Sequence, residues 1–126
     1  MDFSETEIKE AILNPRLKER PSWDQYFVAL CEVIKERSLD PNTHVGCVVV
    51  DDRNRVIATG YNSWPPKCDD EKIPHTRPDK YDWVVHAEMN AIASCGRDLK
   101  GCIDYLPFLP CPDCFKAIIT SGIKHV

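Results

Sequence analysis

The sequence predicts an α/β fold, in which helices cover a β-sheet, and three observations lead to that class. Gly46–Val50 is an uninterrupted run rich in β-branched residues, which is typical of a strand buried on both faces. Apolar residues recur at helical spacing before this run and again in two segments after it. Strands and helices therefore alternate along 126 residues, a length that suits one domain with one core.

An N-terminal appendage is predicted over residues 1–21. Ser4 and Glu7 have the spacing of a capping box, which predicts a short helix there. Pro21 then breaks the chain, because proline cannot continue a helix from within. Residues 22–126 form the predicted main domain.

The main domain opens with a helix and two paired strands. Ser22 and Gln25 have the spacing of a second capping box, and the helix after them is expected to run to about Arg37. Val56–Thr59 follows a turn and is expected to pair antiparallel with Gly46–Val50. The apolar face of the helix consists of Trp23, Tyr26, Phe27, Leu30 and Ile34.

The second half of the domain begins with a long loop. Prolines and clustered charges over residues 62–81 exclude regular structure, and such a loop in a compact domain is usually functional. A helix that carries His86 follows, and a third strand is predicted over residues 102–106. Cys111 caps the last helix and Gly122 ends it. The inward face of this last helix is predicted to consist of Phe115, Ile118 and Ile119.

A fourth strand is predicted to begin at Ile123, and the sequence stops at Val126. A sheet whose last strand is cut short has an unfinished edge. Two explanations stay open at this point: the chain is truncated at its C-terminal end, or a partner subunit covers the edge.

Composition excludes several functional classes. The formal net charge is −4, so no long-range positive field attracts nucleic acid, and no nucleic-acid partner is expected. The first residues lack a basic region and an apolar run, so neither secretion nor a membrane partner is expected. Seven cysteines, an odd number, fit reduced thiols in a cytoplasm, which would be a host's cytoplasm if the gene is viral.

One composite motif carries chemistry: His86-Ala87-Glu88, followed about two dozen residues later by Pro110-Cys111-Pro112-Asp113-Cys114. One imidazole and two thiolates close three positions of a tetrahedral zinc ion and leave the fourth for water. Cys111 and Cys114 are three residues apart at a helix start, so both sulfurs face one side. The helix N-terminus is expected to lower their pKa and favour the thiolate.

Glu88 distinguishes a catalytic site from a structural one. Zinc lowers the pKa of a water molecule to about 7. The resemblance to zinc nucleobase deaminases implies that Glu88 takes a proton from that water, gives it to a ring nitrogen and then protonates leaving ammonia. The alternative is a structural zinc knuckle, in which Glu88 would have no task. The whole pattern resembles the H-x-E…P-C-x-x-C signature of zinc nucleobase deaminases.

The chain resembles the deoxycytidylate deaminases of the zinc-dependent cytidine deaminase-like superfamily from about Trp23 to Val126. The resemblance implies a cytidine deaminase-like three-layer α-β-α sandwich, with a mixed sheet flanked by helices. It also implies hydrolysis of dCMP to dUMP and ammonia, which supplies dUMP for thymidylate synthesis. The segments that carry it, in order, are Arg37–Gly46, Gly60–Asn62, His86–Ile92, Pro110–Cys114 and Ser121–Lys124.

Residue roles follow from the same resemblance. Asn62 matches a deoxyribose contact, with a turn-capping asparagine as the alternative. Asn42 and Lys80 match positions near the phosphate, and the alternative for Lys80 is a solvated loop lysine. Ala87 is assigned to substrate binding. The matched zinc ligands are His86, Cys111 and Cys114, and the matched proton carrier is Glu88.

Relatives of this kind are commonly hexamers regulated by dCTP and dTTP. The resemblance therefore implies a homo-oligomer, these two effectors, and Mg²⁺ accompanying a triphosphate. Some viral relatives bind a second, structural zinc, for which Cys68 and His75 are candidates against an ordinary role in the loop. Two rival functions stay open: a deaminase of tRNA adenosine or of a free nucleoside, and a non-catalytic zinc module that binds nucleotides and regulates a partner.

Overall fold

Helices lie on both faces of a small sheet in the computed structural model. Four positions discussed above, at Ser4, Glu7, Cys68 and Lys80, fall outside the described residues, and so does the short helix predicted near Ser4. None of the helices within the described part is both long and apolar enough to cross a membrane. The structure describes residues 20–65, 71–72, 74–75, 78–79 and 83–126.

The elements follow the predicted order. The helix that opens the main domain continues into a short 3-10 turn, so this segment ends at Arg37 as the sequence predicts. The helices are α1 (Trp23–Ile34), α2 (Ala87–Ser94) and α3 (Pro112–Thr120). The strands are β1 (Gly46–Val50), β2 (Val56–Tyr61) and β3 (Ile103–Tyr105).

Helix α1 begins at the predicted capping box. Ser22 Oγ accepts from the Gln25 backbone N–H at 3.1 Å, and the Ser22 N–H donates to Gln25 Oε1 at 2.8 Å. Phe27 is fully buried, but Trp23 and Tyr26 are 54% and 36% exposed. The prediction that these two residues face inward was wrong. Both lie in the first turn of α1, and the Trp23 ring stacks on the Phe27 ring with centroids 5.7 Å apart.

The sheet has the strand order β2-β1-β3, with β1 in the centre and antiparallel to both neighbours. A single parallel bridge joins Ile103 to His125 beyond β3. The Asp104 N–H donates to the His125 carbonyl at 2.9 Å, and the Lys124 N–H donates to the Cys102 carbonyl at 2.9 Å. The predicted fourth segment therefore reaches the sheet edge in parallel, which makes the sheet mixed.

Strand β1 is buried on both faces, as its composition predicts. Successive side chains of a strand point to opposite faces, so β1 supplies two separate clusters. The cluster under α1 consists of Phe27, Cys31, Val48 and Val50. The cluster under α2 and α3 includes Cys47, Val49, Ala87, Ala91 and Ile118. These two clusters on opposite faces confirm the three-layer arrangement.

Helix α3 turns a narrow stripe toward the core. Cys114 and Ile118 lie one turn apart and are 3% and 0% exposed. Phe115 and Ile119 are 40% and 58% exposed, so the prediction that they face inward was wrong. Each follows an inward residue by one position, and one step rotates a side chain by about 100° around a helix. Gly122 then ends the helical segment at φ +91°.

Gly60 allows α2 to lie directly on β2. A Cβ atom at this position would stand 2.2 Å from the Ala87 carbonyl oxygen and 2.6 Å from the Ala91 nitrogen. Both neighbours are backbone atoms, so a side chain here would push the helix away from the strand. The missing side chain thereby sets the depth at which His86 and Glu88 sit against the sheet.

The long loop after β2 is closed at its base by a backbone bridge. The Ser63 N–H donates to the Val85 carbonyl at 3.0 Å, and the Val85 N–H donates to the Ser63 carbonyl at 2.7 Å. The end of β2 is therefore tied to the residue directly before His86.

Candidate functional site

Two helix starts bring three metal-binding side chains together. His86 is the N-cap of α2, Cys111 is the N-cap of α3, and Cys114 lies in the first turn of α3. Pro112 occupies the first position of α3, where its missing N–H has no partner to lose. The three donor atoms all lie within 4.8 Å of one another. Because α2 and α3 pack on the same face of the sheet, they bring together His86 and Cys111, which are 25 residues apart in sequence.

The spacing of these donors fits zinc. His86 Nδ1 is 3.2 Å from Cys114 Sγ and 3.6 Å from Cys111 Sγ. Tetrahedral bonds of zinc to nitrogen and sulfur separate the two kinds of donor by about 3.6 Å. Two thiols and an imidazole also match the ligand preference of zinc, and three protein donors leave a fourth position open.

Burial raises the pKa of the Cys114 thiol, and its hydrogen bonds with Glu88 and Cys111 raise that pKa further. The sequence had suggested the opposite direction, from the positive end of the helix dipole. Desolvation and the neighbouring carboxylate act against the helix dipole at this thiol. A divalent cation reverses this balance, because a coordinating thiol is deprotonated outright.

Glu88 is a buried carboxylate beside the three donors. It is 5% exposed and lies in the first turn of α2. Its Oε1 is 3.7 Å from His86 Nδ1, which is too long for a hydrogen bond. The carboxylate therefore borders the donor cluster and lines the adjoining pocket. In that place it can exchange a proton with a bound molecule.

The pocket has a volume of about 260 Å³ and combines three walls. One wall comes from the segment before β1 and from the end of β2: Asp40, Thr43, Val45 and Asn62. The second comes from the start of α2 and from the chain shortly before it: Val84, His86, Ala87 and Glu88. The third comes from the chain between β3 and α3: Leu106, Phe108, Leu109, Pro110 and Cys111.

The substrate residues suggested by sequence fall into three groups. Asn62 and Ala87 line the pocket. Asn42 is exposed in the loop before β1 and, among the described residues, is not part of the lining. Lys80 lies outside the described residues.

The Asn62 amide holds the neighbouring wall in place. Its Oδ1 accepts from the Val45 N–H at 2.8 Å, and its Nδ2 donates to the Thr43 carbonyl at 2.7 Å. An amide has two N–H groups and two lone pairs, so this anchoring uses half of its capacity. Asn62 thus has the structural role that sequence analysis left open, and capacity for a ligand contact remains.

Sequence analysis missed Asp40 and the apolar mouth of the pocket. Asp40 is 3% exposed, and its Oδ1 accepts from the N–H groups of Asn42 at 2.8 Å and Thr43 at 3.2 Å. Asp followed by Pro-Asn-Thr is recognisable turn chemistry, so this signal was available. Phe108 and Leu109, at 58% and 92% exposed, form the mouth, and no sequence pattern distinguishes them from core residues.

His75 contacts the Trp64 ring edge-on, with centroids 4.7 Å apart. Cys68, its suggested partner in a second zinc site, lies outside the described residues. Across the described ranges, one group of three donors could hold a metal ion, and it is formed by His86, Cys111 and Cys114.

Comparison with known proteins agrees with this geometry. The family model for the cytidine and deoxycytidylate deaminase zinc-binding region matches residues 21–126. Deoxycytidylate deaminases of Pongo abelii and Homo sapiens are each 40% identical over 111 residues, covering 82% of this chain and 62% of theirs. The chain therefore spans about 62% of the length of these two relatives.

Solved structures show the same architecture. The dCMP deaminase of cyanophage S-TIM5 has a TM-score of 0.68 and 27% identity in its apo form, covering 84% of this chain and 81% of that one. The same enzyme was also solved in complex with dCMP and dUMP, with a TM-score of 0.68 and 26% identity, covering 84% and 79%. The cytidine deaminase-like fold is thus confirmed. This chain belongs to the cytidine and deoxycytidylate deaminase zinc-binding family.

Proposed function

We propose that this chain is a zinc-dependent deaminase that hydrolyses dCMP to dUMP and ammonia and so supplies dUMP for thymidylate synthesis. The main support is the meeting of three metal donors with a buried carboxylate at one pocket. The 40% identity to deoxycytidylate deaminases supports the choice of substrate. We further propose that residues 22–126 form the catalytic domain, in a cytoplasmic protein, and residues 1–21 an appendage.

His86, Cys111 and Cys114 would hold the zinc ion. When bound, zinc polarises a water molecule and lowers its pKa to about 7, so hydroxide is available at neutral pH. His86 contributes through Nδ1, the ring nitrogen that lies closest to both sulfurs.

Glu88 moves the protons of the reaction. Its carboxylate accepts one proton from the attacking water and gives it to N3 of the cytosine ring while the C4–O bond forms. It then carries the second proton of that water to the amino group while the C4–N bond breaks. Ammonia leaves and the uracil ring remains, with its N3 protonated. Burial of Glu88 limits exchange of these protons with bulk water.

The substrate contacts extend from the pocket to the loops around it. Asn62 binds the deoxyribose and Ala87 borders the base. Asn42 and Lys80 bind the phosphate, where local positive charge is needed because the whole chain has a net charge of −4.

We also propose assembly and control like those implied by the family resemblance. The chain forms a homo-oligomer, a hexamer by resemblance. The effectors dCTP and dTTP, accompanied by Mg²⁺, bind near the loop over residues 63–81 at a subunit boundary. Such coupling is reciprocal, so an effector that weakens substrate binding is itself weakened by substrate to the same extent.

Ammonia release tests the proposal directly. The zinc-loaded chain is given dCMP, cytidine or dCTP in parallel, and kcat/KM is measured for each. We expect dCMP to exceed cytidine by at least roughly tenfold, because one retained ionic contact to phosphate is worth about that much. Chelation should abolish release, and added Zn²⁺ should restore it. A preference for cytidine would favour a nucleoside deaminase, and no release from any substrate would favour the non-catalytic module.

A further inference from the structure

Asn90 lies one turn after His86 on α2, and its side chain reaches the end of β2. Its Nδ2 is 2.8 Å from the Tyr61 carbonyl oxygen, 3.3 Å from Ser63 Oγ and 3.4 Å from the Val85 carbonyl oxygen. The two N–H groups of one amide therefore serve three acceptors, and the Tyr61 carbonyl is the closest. The same residue belongs to α2 through its own N–H, which donates to the His86 carbonyl at 2.9 Å.

These acceptors flank the residues that the proposed reaction uses. Tyr61 and Ser63 are the chain neighbours of Asn62, which lines the pocket. Val85 directly precedes His86, and its backbone pairs with that of Ser63 in both directions. One amide thus connects the start of the metal-binding helix to both sides of the pocket asparagine.

Asn62 is in turn hydrogen-bonded to the segment before β1, which forms the opposite wall of the pocket. Its side chain bonds Thr43 and Val45, and its backbone carbonyl accepts from Ser38 Oγ at 2.7 Å. A shift of the β2 end would therefore move the loop that forms one side of the pocket. Since Gly60 leaves no side chain between β2 and α2, a hydrogen bond there can hold the two elements at fixed separation.

We propose that Asn90 is a positioning residue that holds Asn62 at a fixed distance from His86 and Glu88 across the pocket. This rests on the proposed function, in which Asn62 binds the substrate and Glu88 moves its protons. Asn90 acts through its neighbours and does not touch the reacting atoms. Its loss should therefore weaken substrate binding more than it slows the proton transfers.

Asn90→Ala tests this role. Alanine is the best helix former, so the change keeps α2 while it removes both N–H groups. Ser94→Ala is the matched control, because it removes a 2.7 Å bond to the Asn90 carbonyl from the exposed side of the same helix. We expect Asn90→Ala to raise KM for dCMP roughly tenfold, to change kcat less than about threefold and to keep one zinc per chain, while Ser94→Ala leaves all three unchanged.

Hydrogen exchange supplies a readout that needs no substrate. The backbone amides of Ser63 and Val85 should exchange at least roughly tenfold faster in Asn90→Ala than in the wild type, and Ser94→Ala should not alter them. If the wild type fails to deaminate dCMP, the proposed function is wrong, and exchange still decides whether Asn90 holds the two segments together.

Three outcomes would overturn the inference. One is unchanged exchange or unchanged KM in Asn90→Ala. Another is a fall in kcat that parallels loss of zinc, which would indicate general disruption. The third is strict additivity of Asn90→Ala and Asn62→Ala in their effects on KM, since residues acting together are not additive. If Asn90→Ala does not fold, Ser63→Ala is the second variant, because it removes one of the three acceptors and leaves Asn90 in place. It should raise KM two- to threefold, which corresponds to on the order of half a kcal/mol. An unchanged KM in Ser63→Ala would also overturn the inference.

Discussion

Glu88 is the residue on which the proposed chemistry depends most, because its buried carboxylate borders the donor cluster. Glu88→Gln keeps the shape of the side chain but cannot carry protons. We expect kcat to fall about 10²–10⁴-fold while zinc stays at one per chain, since the carboxylate is not a metal donor in this arrangement. Ammonia release and elemental analysis measure the two quantities.

The control for this change is Glu36→Gln, which neutralises an exposed carboxylate in the turn after α1. It should leave kcat and zinc unaltered. A Glu88→Gln protein that retains more than a few per cent of wild-type turnover would remove Glu88 from the mechanism.

Asp104 is a second buried carboxyl group, and the proposed mechanism does not use it. It is 1% exposed on β3, and its Oδ1 accepts from Cys47 Sγ at 2.7 Å. Its Oδ2 has no hydrogen-bond partner among the described residues. Burial raises the pKa of Asp104 to about 6; the Cys47 hydrogen bond opposes this shift, and the charge of Glu88 adds to it. The folded protein therefore holds this proton more tightly than the unfolded chain does.

Asp104 should make stability depend on pH with a definite sign. Its stabilising proton is fully present below the unfolded pKa of 3.8 and is lost as pH rises through about 6. Asp104→Asn removes this titration, so the variant should gain roughly 2 kcal/mol of unfolding free energy relative to the wild type between pH 4 and pH 7.5. Urea unfolding of both proteins at both pH values measures it. The comparison cancels the titration of the metal donors, and an equal difference at the two pH values would contradict the prediction.

At the level of elements, the contact between β2 and α2 controls the site. Gly60→Ala places a Cβ about where the Ala87 carbonyl lies, and only backbone movement can relieve that contact. We expect a loss of several kcal/mol in unfolding free energy, as for other overpacked or strained sites, together with weaker zinc binding because His86 moves with α2. Denaturant unfolding and zinc titration measure these effects.

Gly96→Ala is the matched control, because a Cβ there would meet no atom within 4 Å and the residue follows the same helix. This change should be neutral or stabilising by up to about 1 kcal/mol, since alanine restricts the unfolded chain. Equal losses in the two variants would mean that close contact at Gly60 is not the cause.

The elements that sequence analysis predicted correctly are those with a local signal. Ser22 marks one helix start through its capping box with Gln25, and Pro112 marks another by its place at the first helical position. The composition of Gly46–Val50 indicates burial on both faces. The outward rotation of Phe115 depends on which stripe of α3 meets the sheet. That choice is made by residues distant in sequence, so apolar spacing alone could not reveal it.

The same division explains the site. His86, Cys111 and Cys114 could be identified from sequence because metal chemistry restricts residue types and spacing. The wall that contains Asn62 depends on hydrogen bonds between segments about twenty residues apart, from the Asn62 side chain to Thr43 and Val45. No composition or periodicity encodes such bonds, although turn chemistry at Asp40 indicated the local part.

At the scale of the whole molecule, the outer surface of α3 is the feature that bears on assembly. Phe115 and Ile119 lie one turn apart on this helix and face solvent. Phe108 and Leu109 are exposed in the segment that leads into it. Large apolar groups close together on a surface commonly mark protein contacts, which supports the proposed homo-oligomer.

Ile119→Asp should shift the protein toward the 14.4 kDa monomer, because a carboxylate buried in an apolar interface without a partner is strongly unfavourable. Val33→Asp is the matched control, since Val33 is similarly exposed at 53% but lies on α1, on the opposite face of the sheet. Light scattering at micromolar concentration measures the mass of all three proteins. We expect multiples of the monomer mass for the wild type and Val33→Asp, and a smaller mass for Ile119→Asp. A monomeric wild type would contradict self-association, whereas equal oligomers in all three proteins would move the interface away from α3.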